Sequence, residues 1–189
     1  MDISPTEAEE ALAAIQTVVH KTQRWISSSG AYAILIIWGL VWLLGFLSSH
    51  FLPDVTAGQI WIGLDIAGGI FSAVIGSRMK RRVRSPSAPS SGKRIGWFWL
   101  FLFLTCAIAI GIARPADGKQ LAMLIILFVM IGWMAMSFLL SFFSAWLGIA
   151  ILALALIGYY FLGDYFYLWM GILGGGGMIV SGIYIRNRW

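Results

Sequence analysis

Apolar residues run almost without interruption from Gly30 to the arginines at the C-terminus, and polar residues break the run at only a few places. A helix needs about 20 residues to cross a hydrocarbon core of about 30 Å. On that ruler the pattern predicts helices near residues 30–51, 57–77, 95–113, 120–140, 144–162 and 165–185. The fourth and fifth are drawn from one stretch, because no charged residue lies between Lys119 and Asp164. A single helix there would be about 60 Å long at about 1.5 Å per residue, twice the available thickness. A turn is therefore expected at Ser141-Phe142-Phe143-Ser144-Ala145-Trp146, where serine and tryptophan tolerate a membrane interface.

Upstream, residues 1–29 read as an amphipathic arm. Ser4-Pro5-Thr6-Glu7 is a capping box with proline at the first helical position. Ala8, Ala11, Leu12, Ile15, Val18, Val19, Trp25 and Ile26 then recur at three-and-four spacing, giving an apolar stripe. Acidic residues open this arm and His20, Lys21 and Arg24 close it, as the helix dipole favours. The arm is expected to lie in the interface, or to dock on a protein partner or a second copy of the chain.

The fold class expected is thus all-α: a polytopic membrane protein of six transmembrane helices over residues 30–185, arranged as three hairpins behind an N-terminal amphipathic helix. Composition agrees. The chain is 60% hydrophobic and 11% charged, with a mean hydropathy of +0.86, outside the range of soluble domains. The first apolar run lacks a small-residue cleavage pattern after it, so it is expected to stay as a signal anchor.

Charge orients the chain. Arg78, Lys80, Arg81, Arg82, Arg84, Lys93 and Arg94 flank a serine- and proline-rich linker over residues 78–94, which is too polar and too short to pack a core. With Lys21, Arg24, Arg186 and Arg188 they fall on one side of a six-span threading, and only Arg114 and Lys119 fall on the other. Basic residues gather on the cytoplasmic side, so both termini are expected there, in a cytoplasmic membrane of bacterial type. The linker cations would meet anionic lipid head groups. That accounts for the net charge of +5, and no nucleic-acid partner is expected.

An internal repeat is visible. At an offset of 108 residues, Trp61 aligns with Trp169, Gly63 with Gly171, Gly68 and Gly69 with Gly176 and Gly177, and Arg78 with Arg186. Each expected hairpin turns outside at a loop with one aspartate: Asp54, Asp117 or Asp164.

Candidate chemistry is sparse. Asp65 is the one acidic or basic residue placed well inside an expected span, and charged aspartate at a helix centre costs about 2.5–3.5 kcal/mol. Its neutral acid form is favoured in low dielectric. Hairpin geometry sets it opposite Gly45, and it shares a stripe with Gly69, Ala73 and Ser77, with Ser72 on the same face. Gly171, Gly174, Gly175, Gly176 and Gly177 mark either close helix packing or a hinge with unwound backbone. Trp38, Trp42 and Trp133 fall too deep for an interfacial belt and could fill helix contacts or line a pocket. Trp25, Trp97, Trp99, Trp146 and Trp189 at one boundary, with Trp61 and Trp169 at the other, read as the belt.

Catalysis is not expected. The chain offers no pair of intramembrane carboxylates, no intramembrane histidine beside a serine, and a single cysteine, Cys106, so no cofactor or metal is implied. The leading expectation is a non-enzymatic membrane subunit, regulatory or partner-binding. The alternative is a proton-coupled carrier or channel for a small solute or ion, with Asp65 as its polar group and the glycine run as its flexible element.

Overall fold

The structure is a computed structural model that describes residues 31–82, 91–139 and 145–188, without the side chains of residues 31, 79–82, 91–93, 139 and 188. Every regular element among the described residues is helical. In chain order they are α1 (Ala31–Phe51), α2 (Asp54–Arg82), α3 (Ser91–Ala113), α4 (Gly118–Leu139), α5 (Ala145–Phe161), a 3-10 turn (Gly163–Tyr165), α6 (Phe166–Trp169), a π-helical turn (Met170–Gly175) and α7 (Gly176–Arg188). The last three run on as one composite helix. Five helices are long and apolar enough to cross a membrane: Tyr32–Phe51, Asp54–Arg78, Arg94–Ala113, Gly118–Phe138 and Gly163–Asn187. α5 is apolar but shorter, at 17 residues.

Local chemistry explains the boundaries. Pro53 cannot continue α1, and Asp54 behind it opens α2, with the Ala57 amide donating to the Pro53 carbonyl at 2.9 Å. α4 starts with a reciprocal cap. The Gln120 amide donates to Asp117 Oδ1 at 2.7 Å, and the Ala116 amide donates to Gln120 Oε1 at 2.9 Å. Arg114 ends α3 in the left-handed region, φ 45°, and its amide donates to the Ile110 carbonyl at 2.9 Å. Gly163 follows α5 at φ 49°, a conformation glycine adopts without steric cost.

Three expected boundaries are corrected. α2 starts at Asp54, ahead of residue 57, and continues through the basic cluster to Arg82, so its 29 residues extend about 43 Å, well past an apolar core. Lysine and arginine are good helix formers, and nothing in that cluster stops the helix. Ser91 and Gly92, expected in the linker, already belong to α3. The amphipathic arm, Arg84 with the body of the linker, and the turn residues Ser141, Phe142, Phe143 and Ser144 lie outside the described residues.

The main helix contacts form a series: α2 on α1, α1 on the π turn and α7, the π turn on α5, α5 on α4, and α4 on α3. α2 and α3 stand at its two ends. Only 6% of the apolar window of each is buried, against 39% for α1, which is held on two sides. The buried cluster draws on Leu35, Val41, Trp42 and Phe46 of α1, Met123, Ile126 and Met130 of α4, and Phe166 and Met170 of the composite helix.

Candidate functional site

Chain directions are set by which residues meet. Trp61 lies over Gly45, Gly68 is close to Val41, and Trp38 reaches Ser72, so α1 and α2 run antiparallel. The same test applied to Gly182 with Tyr32 and to Gly171 with Phe46 makes α1 antiparallel to the composite helix.

Asp65 is exposed, on the flank of α2 beside its α1-facing stripe of Ala57, Trp61, Gly68 and Ser72. It has no hydrogen bond or ion pair with another described residue. The expected pairing with Gly45 is corrected: Trp61, one turn earlier, occupies that place, with a Cβ on Gly45 meeting its ring at 2.6 Å. The indole anchors there by donating to Ser49 Oγ at 2.9 Å and by an edge contact with Phe46 at 5.1 Å. Ser72 accepts from Trp38 Nε1 at 3.2 Å and so belongs to the α1–α2 contact. Gly69 faces open space. Asp65, Gly69 and Ser72 therefore share a helix flank but form no enclosed site.

The glycine segment divides in two. A Cβ on Gly175 would meet the Leu43 amide nitrogen at 2.6 Å, and one on Gly171 would meet Phe46 Cβ at 3.3 Å. Gly174 lies beside Met170 and Trp42. Gly176 and Gly177 meet nothing. The whole segment is helical, in π geometry from Met170 to Gly175 and α from Gly176, so the expectation of unwound backbone is not met. Sequence reasoning missed the receiving glycines. Gly39 takes the Gly175 carbonyl, and Gly182 sits where a Cβ would meet the Tyr32 carbonyl at 2.9 Å. Their spacing along α1 and α7 was the available signal.

The three deep tryptophans share no pocket. Trp42 is buried in a contact with Phe46, ring centroids 5.6 Å apart. Trp38 faces α2, whereas Trp133 lies against Gly148 of α5, 3.2 Å from the place of a Cβ there. An apolar groove of about 240 Å³ lies elsewhere, between Leu162, Tyr165, Leu168, Trp169, Ile172 and Leu173. Trp169, expected in the belt, turns inward: its Nε1 donates to the Leu154 carbonyl at 2.9 Å and its ring covers Gly158. Trp97 and Trp146 are exposed.

Of the basic residues flanking the linker, Arg78 and Arg94 are exposed, whereas the side chains of Lys80, Arg81, Arg82 and Lys93 lie outside the described residues. At the other end of the bundle the loops converge on a residue the sequence did not single out. The Tyr167 hydroxyl lies 2.7 Å from the place of a Cβ on Gly118, within electrostatic reach of the Asp54 and Asp117 carboxylates. Lys119 Nζ lies 5.3 Å from the Tyr159 ring centroid. Among the described residues no three metal-ligating side chains come together. The chain matches no known protein family, no curated protein sequence and no solved structure.

Proposed function

We propose that this chain is a non-enzymatic membrane subunit that acts by binding another protein, through helix contacts in the bilayer and through its N-terminal arm. It is threaded six times through a cytoplasmic membrane of bacterial type, with both termini on the cytoplasmic side and the basic linker on anionic head groups. The seventeen residues of α5 span about 25 Å, at the short end of the range for a crossing.

One observation carries the reading. The acid deep within the second span, Asp65, stands on the exposed flank of a helix at the end of the packing series, away from the buried cluster. A carrier needs its polar group at a pathway between helices, as do the midplane sites of transporters. A subunit needs it at a contact surface, since an intramembrane acid is not left in lipid. The helical, tightly packed Gly171 to Gly175 segment also gives the carrier reading no opened backbone to coordinate a solute.

The test is reconstitution of the full chain into vesicles loaded with a pH-sensitive dye. Proton leak equal to that of protein-free vesicles is expected. A flux that disappears in Asp65→Asn would establish the carrier and overturn the subunit. In cells, removal of residues 1–26 is expected to release a protein that copurifies with the intact chain.

A further inference from the structure

One flank of α2 carries a seven-residue repeat that the described residues leave largely open, Ser72 alone in it hydrogen-bonding to α1. Gly58, Asp65 and Ser72 form one row and Ile62, Gly69 and Gly76 the next, the spacing of a seam that receives a second helix. A Cβ at Gly58, Gly69 or Gly76 would have nothing within 4 Å, whereas one at Gly39, Gly45 or Gly175 would strike a neighbouring helix. Glycine in a helix costs about 1 kcal/mol relative to alanine, and in a membrane it is useful where another backbone comes close. α1 and the composite helix meet that condition through their glycines, and α2 offers the same surface unfilled.

Charge decides the occupant. Asp65 lies about 16 Å along α2 from Asp54, near the middle of a hydrocarbon core of about 30 Å, too deep for its short side chain to reach water. No lysine, arginine or histidine of this chain belongs to that depth. A second copy packed about a two-fold axis would bring another acid to that depth and no counter-charge.

We propose that the Gly58–Asp65–Gly69–Gly76 flank of α2 docks a transmembrane helix of another protein that carries a lysine or arginine at mid-membrane depth, paired with Asp65. This names the chemistry of the partner required by the subunit reading and rests on it.

The probe is a synthetic leucine–alanine helix of about 22 residues with one central lysine, compared with the same helix bearing leucine there. The full-length protein with a C-terminal fluorescent donor is reconstituted with acceptor-labelled peptide in phosphatidylcholine vesicles. Half-maximal energy transfer is expected at about tenfold lower peptide density for the lysine helix. Asp65→Leu is expected to remove that preference and Asp65→Glu to retain it, while Gly69→Leu weakens association and Gly63→Leu, on the opposite side of α2, leaves it unchanged. Thermal unfolding of each variant verifies that it is folded. Equal association of the two peptides, or a lysine preference that survives Asp65→Leu, overturns the proposal. Energy transfer between two protein copies that is lost in Gly69→Leu overturns it as well, by giving the seam to a second copy. These failures leave the subunit reading in place, because only an Asp65-dependent flux removes that.

Discussion

Gly39 and Gly175 meet backbone to backbone: a Cβ added to Gly175 would stand 2.8 Å from the Gly39 carbonyl oxygen, and one added to Gly39 would stand 2.8 Å from the Gly175 carbonyl oxygen. No side chain is available to move aside, so a single methyl group separates two helices that supply much of the core. Gly175→Ala is expected to destabilise the protein by about 1–3 kcal/mol. Gly177→Ala, where nothing lies within 4 Å, is expected to be neutral or to stabilise by up to about 1 kcal/mol. Reversible unfolding in mixed micelles separates the two. Equal effects would mean that the crossing is looser than described.

Trp61 and Trp169 do the same work in two places. Each indole covers a glycine of the preceding helix and donates to that helix, to Ser49 Oγ in one case and to the Leu154 carbonyl in the other. A double-mutant cycle on Trp61→Phe and Ser49→Ala is expected to give a coupling of about 0.6 kcal/mol, the average for interhelical hydrogen bonds in a membrane. A coupling of zero would show that the ring packs without the bond.

Arg114 adopts a left-handed backbone at the end of α3, where a residue with a Cβ is strained. Arg114→Gly is therefore expected to stabilise the protein by about 1 kcal/mol, read as a higher midpoint in the same unfolding assay. A lower midpoint would mean that the guanidinium makes a contact worth more than the strain.

Asp117 accepts the Gln120 amide at the start of α4. Asp117→Ala is expected to cost about 1 kcal/mol, and Asp117→Asn much less, because asparagine caps nearly as well. If the two substitutions are equal, the negative charge near the helix start is what matters, as the dipole argument would have it.

Threading is checked with compartment-specific reporters. A fusion after Trp189 and an insertion between Ser87 and Ala88 are expected to report the cytoplasm, and an insertion beside Asp117 the opposite side. A C-terminal reporter active only on the far side would leave an odd number of crossings, and Asp65 would lose its assigned depth.

The repeat shows where sequence and structure part company. Trp61 and Trp169 align at the offset of 108 and also take equivalent roles. Two of the three glycine pairs aligned by the same offset do not. Gly171 is packed whereas Gly63 is open, and Gly68 is packed whereas Gly176 is open. α2 ends the packing series with one main neighbour, while the composite helix lies between α1 and α5. Identical residues thus acquire different surroundings from their place in the bundle.

Apolar run length alone determined that the chain is helical and suited to lipid, because backbone hydrogen bonds within a bilayer must be satisfied inside each segment. Proline, glycine and aspartate between the runs likewise set most helix starts and stops by local chemistry. Which glycines are contacts, that the Gly171–Gly175 stretch is a packed π turn, and that Asp65 is turned outward were decided only by tertiary structure. With apolar residues on every side of the spans, hydropathy has little contrast to distinguish one helix face from another, and the faces are chosen by the fit of backbones from distant parts of the chain.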